Sequence, residues 1–206
     1  MADGSSSQVK RGRKFDQVLS GARDVFLRDG FEGASVDDIA RASNVSKATL
    51  YSYFPDKALL FMEVAKTECQ RQANTAMAIL DLEQSIDKIL RDVGMHLVRF
   101  VSSDFGMRIF RICVAESDRF PQLGREFYES GPELVRARMI ELLKAGVARG
   151  ELVIDDIALA ADQFPELCKA DLSPRMVFQH ETSFTEAEIA RVVDGAVATF
   201  MARYGA

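Results

Sequence analysis

The chain has 206 residues, enough for one large domain or two small ones with a sizeable core. With 48% hydrophobic and 28% charged residues it is too apolar for a disordered protein, and no run reaches the roughly 18 apolar residues of a membrane span. The formal net charge of −5 argues against a nucleic-acid partner only if charge is spread evenly.

It is not spread evenly. Residues 1–60 carry nine Lys/Arg against eight Asp/Glu, and the remainder carries 17 against 23. Lys10, Arg11, Arg13 and Lys14 fall within five positions, so residues 1–14 are expected to form a disordered basic arm. The three cysteines, Cys69, Cys113 and Cys168, are odd in number and widely spaced. They suit small buried side chains in a reducing compartment better than a disulfide framework or a metal pair. The first residues lack the apolar core of a leader peptide, which makes a bacterial cytoplasm the expected address.

Structure is predicted from Phe15 onward. Phe15, Val18, Leu19, Ala22, Val25 and Phe26 recur with a helical period as far as Gly30. Ser35 offers an N-cap with Asp38 three residues on, opening a helix over Val36–Ala42 that stops at Ser43-Asn44. Ser46 caps a third helix to about Phe54, closed by Pro55. A long helix follows from Asp56 to about Asp81, then helices over about 85–102, 105–116, 121–128 and 132–150. Asp155 or Asp156 opens a helix to Lys169, expected to bend or break at Pro165, and residues 186–204 form the last. No run alternates with period two, so the expectation is an all-α protein of nine or ten helices.

Val36–Phe54 has the anatomy of a helix-turn-helix: small Ala40 where the helices cross, Asn44 in the turn, and apolar anchors at Ile39, Val45 and Leu50. Removing the anchors leaves Ser46, Lys47, Ala48, Thr49, Tyr51, Ser52 and Tyr53 on the outward side, with no acid between Val45 and Phe54. Hydroxyls and an ammonium suit phosphate oxygens, while small and aromatic groups suit thymine methyls and sugar edges.

The stretch from Gly30 to Leu60 resembles the DNA-binding domain of the tetracycline-repressor (TetR) family, in which the S-K-x-T-L-Y-x-Y-F-x-x-K string, here Ser46–Lys57, is the recognition helix and its exit. The resemblance implies that Ser46, Lys47, Thr49, Tyr51, Tyr53 and Lys57 approach DNA, with Ala48 and Tyr51 deepest and Ser35 near a phosphate. Arg11, Arg13 and Lys14 of the arm join them. Asn44 stands where the family most often has Gly. The string from Phe110 to Tyr128, with Gly150–Leu152, is similar to AefR-like regulatory domains, from which Pro165 departs.

The domain expectation is a basic arm over 1–14, a DNA-binding domain over 15–58, and a ligand-binding and dimerisation domain over 59–206. By resemblance the last two long helices dimerise, through Phe164, Ile189, Val193, Val197 and Phe200, and the homodimer reads a pseudo-palindromic double-stranded operator. Met- and Phe-rich middle helices suggest an apolar effector pocket, with His96, Arg99, Phe100, Phe110, Arg111, Met139 and Phe164 as candidate contacts. No cofactor, metal or membrane partner is expected. An enzyme is disfavoured, because the two histidines lie far apart and no phosphate loop, GxSxG or HExxH occurs. A helical adaptor with a vestigial hairpin is the other alternative.

Overall fold

A computed structural model describes residues 12–118, 121–178, 180–181 and 183–206. The described residues form α1 (Arg13–Gly33), α2 (Val36–Ala42), α3 (Lys47–Tyr53), α4 (Lys57–Ile79), α5 (Ile86–Val101), α6 (Asp104–Glu116), α7 (Pro121–Ser130), α8 (Pro132–Ala148), α9 (Ile157–Lys169), α10 (Leu172–Val177) and α11 (Glu186–Tyr204). The all-α expectation holds, with one short helix, α10, beyond those read from periodicity. The only departure from helix and loop among the described residues is an isolated bridge between Leu152 and Gly205.

The chain divides into compact units at residues 1–67 and 68–206. The division falls inside α4 rather than at residue 58, because the first turns of α4 belong to the core of the first unit. There Phe61 meets Phe26 edge-on at 5.0 Å and Phe31 at 5.2 Å. Arg13 and Lys14, assigned to the arm, occupy the first turn of α1, while Lys10 and Arg11 lie outside the described residues.

In the first unit the stripe of α1 is buried, with Val18, Ala22, Val25 and Phe26 each almost fully covered. Its regular course ends at Gly30, whose φ of 72° is a backbone conformation that glycine adopts without a Cβ clash. α1 and the end of α2 meet at Gly21, where a Cβ would lie 2.3 Å from Ser43 Oγ and 2.6 Å from its backbone nitrogen. The hydroxyl of buried Ser43 donates to the Val18 carbonyl at 3.4 Å.

The second unit is built on α5, α9 and α11, with α8 flanking α9 and α6 and α7 continuing the layer. Gly94 on α5 brings that helix against Val193, Cys168 and Phe164, all three fully buried. The start of α5 gets no cap from Ser85; the Ile86 amide instead donates to Glu151 Oε2 at 2.6 Å. The turn after α8 therefore satisfies the orphan donor of a helix far away in sequence. α9 is capped by Asp156, which accepts from the Leu159 amide at 2.9 Å, and it continues through Pro165. Buried Ala160, Ala161, Phe164 and Cys168 hold it in place despite the missing N–H.

Candidate nucleic-acid interface

The recognition hairpin is fixed by short-range hydrogen bonds. Ser35 Oγ accepts from the Asp38 amide at 3.0 Å and donates to its carboxylate at 2.6 Å, which holds that carboxyl below its ordinary range. Arg41 donates to the same carboxylate at 2.8 Å. Asn44 turns the chain at φ 51°, a left-handed conformation that asparagine tolerates. Ser46 then caps α3, accepting from the Thr49 amide at 3.1 Å, with the two hydroxyls 2.9 Å apart. Leu50 is buried and roots α3 against the unit's core.

This leaves one face of α3 in solvent. Ser46, Lys47, Ala48, Tyr51 and Ser52 are exposed and Thr49 is half-buried. Tyr51 retains 48% of its accessible surface, unusual for a large aromatic ring and suited to packing on base edges or sugars. Lys47 is equally open but is ion-paired with Asp37 of α2. Tyr53 is half-buried, its ring edge-on to Phe15 at 5.8 Å, so it props α3 on α1 with only part of its surface left to meet DNA.

Of the two remaining hairpin candidates, Ser35 is the exposed N-cap that its spacing from Asp38 leads one to expect, whereas Lys57 sits differently from its sequence reading. Ser35 is committed to capping α2. Lys57 is turned into the unit, where its ammonium donates to the carbonyls of Phe31 at 2.8 Å and Ala34 at 3.2 Å and lies 4.5 Å from the Phe31 ring centre. Lys57 therefore shapes the hairpin rather than extends its exposed face. Sequence reasoning missed Gly21, which sets how closely α1 approaches the end of α2; an isolated Gly within an apolar stripe was the available signal.

In the second unit the effector candidates differ in their settings. Met139 and Phe164 are core, and Phe110 is 40% exposed. Arg99 is ion-paired with Glu186 at 2.6 Å, and Arg111 donates to the Met176 carbonyl at 2.7 Å. Phe100 is half-buried, as is His96, whose Nε2 is covered and has no hydrogen-bond partner. Two open clefts flank α11, one of about 570 Å³ against α9 and one of about 460 Å³ against α5, and neither is lined by these candidates.

The dimer candidates require a correction of face. Phe164, Ile189, Val193 and Phe200 are buried inside the monomer, because α5 takes the apolar side of α9 and α11. Val197 is half-buried and lines the smaller cleft. Outside that core, Leu159 of α9 is 50% exposed, and Gly195, Ala198 and Thr199 of α11 are also open. All three cysteines are buried, and burial pushes the thiols up, Cys69 to about 11 and Cys113 and Cys168 to about 12.

Comparison with known proteins decides the family. Residues 18–64 match the model of the bacterial regulatory proteins of the TetR family, and residues 88–206 match the C-terminal domain of AefR-like transcriptional repressors. The chain belongs to the TetR family of transcriptional regulators. It is 29% identical over 150 residues to the HTH-type transcriptional regulator YdeS of Bacillus subtilis, covering 70% of this chain and 73% of that protein. A TetR-family regulator structure from Mesorhizobium loti superposes with a TM-score of 0.86 at 27% identity, over 97% of this chain and all of the other. The flavonoid-responsive regulator FrrA superposes at 0.70 with 33% identity, over 95% and 98%.

The regulator's exposed α3 face thus lies within the segment, residues 18–64, that matches the TetR-family model, and the chain is a transcription regulator rather than an enzyme. Among its described residues, no helix is long and apolar enough to cross a membrane.

Proposed function

We propose that the regulator is a homodimeric repressor that inserts α3 into the major groove of each half of a pseudo-palindromic operator and is released by a small apolar effector. The observation that carries the reading is the acid-free, solvent-facing side of α3, where Lys47, Thr49 and Tyr51 follow a Ser46 cap. One such hairpin contacts one half-site, and specific affinity generally needs two, which a dimer supplies. The matched description of its C-terminal half as that of AefR-like repressors supports repression. The similarity to a flavonoid-responsive regulator supports a flat, largely apolar effector. Such a molecule would act by binding better to a conformation whose reading heads are wrongly spaced.

Binding of the full chain to DNA beside its own gene, followed by fluorescence anisotropy over a salt series, tests the reading. Lys47→Ala is expected to weaken operator and random duplex alike and to lower the slope of log K against log salt by about 0.9. Tyr51→Ala is expected to change the ranking among operator variants as well. A Lys47→Ala protein with an unchanged salt slope would overturn this docking. A flavonoid panel added to the complex tests release, and an effector that binds without loosening the operator would remove that part of the proposal.

A further inference from the structure

Several cations of the first unit are held in ion pairs on its surface. Arg28 pairs with Asp29 at 2.6 Å, Arg41 with Asp38 at 2.8 Å and Lys47 with Asp37. The last pair differs in position, because Lys47 is the first residue of α3 and Asp37 stands ten residues earlier in the first turn of α2. It bridges the two helices of the hairpin on its open side, with both side chains 57% exposed. Asp37 is not the cap of α2, which is made by Ser35 and the Asp38 amide.

We propose that Asp37 is an intramolecular competitor for the phosphate-binding ammonium of Lys47, setting the regulator's affinity for DNA backbone of any sequence. The proposal rests on the docking of α3 given above. A phosphate oxygen arriving at the start of α3 and the Asp37 carboxylate are both anions seeking one ammonium. Holding both there places two negative charges side by side, so the phosphate must displace Asp37 or accept a weakened contact. An exposed pair of this kind exchanges readily and is worth a few-fold in an equilibrium constant. Such a brake lowers specific and non-specific binding by the same factor. It leaves operator preference to the groups that touch bases, Tyr51 foremost. Against random DNA, a few-fold reduction shortens the time the regulator is held away from its operator.

The test uses the full chain, a selected operator duplex and a random duplex of equal length, titrated by fluorescence anisotropy at fixed salt. Asp37→Asn is expected to tighten both complexes by about two- to five-fold with their ratio unchanged. In a Lys47→Ala background the same substitution is expected to do nothing. Unchanged or weaker binding by Asp37→Asn would show that the carboxylate orients Lys47 rather than competes for it, and would overturn the proposal. Tightening that persists without Lys47 would also overturn it, since that is general charge repulsion. If Lys47→Ala alone leaves affinity and salt slope unmoved, the docking itself is wrong, which is a separate result. Asp37→Ser, which keeps a side chain suited to a helix start, gives the same readout should the Asn variant fold poorly.

Discussion

The ammonium of Lys57 lies within hydrogen-bond distance of two main-chain carbonyls just past Gly30 and over the face of Phe31. A carbonyl-bound, half-buried ammonium ties the first residue of α4 to the end of α1, and to release it for a phosphate would leave both carbonyls to find water. The same charge on the open side of α3, at Lys47, has a carboxylate partner that a phosphate can replace. The two lysines should therefore separate in a salt series. Lys57→Met is expected to weaken operator binding and lower the melting temperature of the protein while leaving the salt slope where it was. Lys47→Ala is expected to weaken operator binding too, but with a lower salt slope and an unchanged melting temperature. A slope reduced by about 0.9 in Lys57→Met would place its ammonium on a phosphate instead.

At the scale of the element, α11 shows how a local sequence signal and a distant partner combine. Thr185 accepts from the Glu188 amide at 3.2 Å, and Glu188 accepts from the Thr185 amide at 2.9 Å and its hydroxyl at 2.8 Å. Arg175, from α10, adds a bond at 3.1 Å. The Thr185 amide and hydroxyl, then Arg175, hold the Glu188 carboxyl at about 2, below its ordinary 4.5. A carboxyl depressed in the folded state contributes stability above its unfolded value and loses that contribution as pH falls through the folded one. Glu188→Ala is therefore expected to melt below the native protein at pH 7, with the gap closing between about pH 4.5 and pH 2. A gap that stays constant through that window would mean that the capping box is not what stabilises the start of α11.

Helix starts of this kind are legible because a cap and its partner stand three residues apart. Ser35, Ser46 and Asp156 cap where the sequence places them, and Asn44 turns where it should. What one strand of text does not contain is the identity of the partner across a face. The apolar side of α11 could cover a second copy or another part of the same chain, and it covers α5 because Gly94 opens room for Val193 and Phe164. Lys57 and Asp37 were obscure for the same reason: their partners lie 23, 26 and 10 residues away and are met only once the chain has turned. α10 escaped because its six residues bury only Leu172 and Met176 and offer too few turns for a period.

For the whole molecule, burying the first face of α11 leaves the proposed dimer to the exposed residues of α9 and α11. Leu159 is exposed on α9, and a cleft of about 570 Å³ is floored by Leu167, Phe200 and Tyr204. Exposed on α11 are Gly195, Ala198 and Thr199, small enough for two helices to pack closely across a twofold axis. A side chain added at Gly195 meets nothing within 4 Å inside the monomer, so a large residue there tests the interface without disturbing the fold. Gly195→Arg is expected to sediment as a monomer at micromolar concentration with an undiminished helical far-UV spectrum, and to melt at a temperature that no longer depends on protein concentration. It should also lose at least ten-fold in operator affinity, because each reading head then binds its half-site alone. Random-duplex binding, which draws on single phosphate contacts, should fall far less. A Gly195→Arg protein that remains dimeric would move the interface to another surface of the second unit, and a monomer that keeps full operator affinity would remove the need for a dimer in operator recognition.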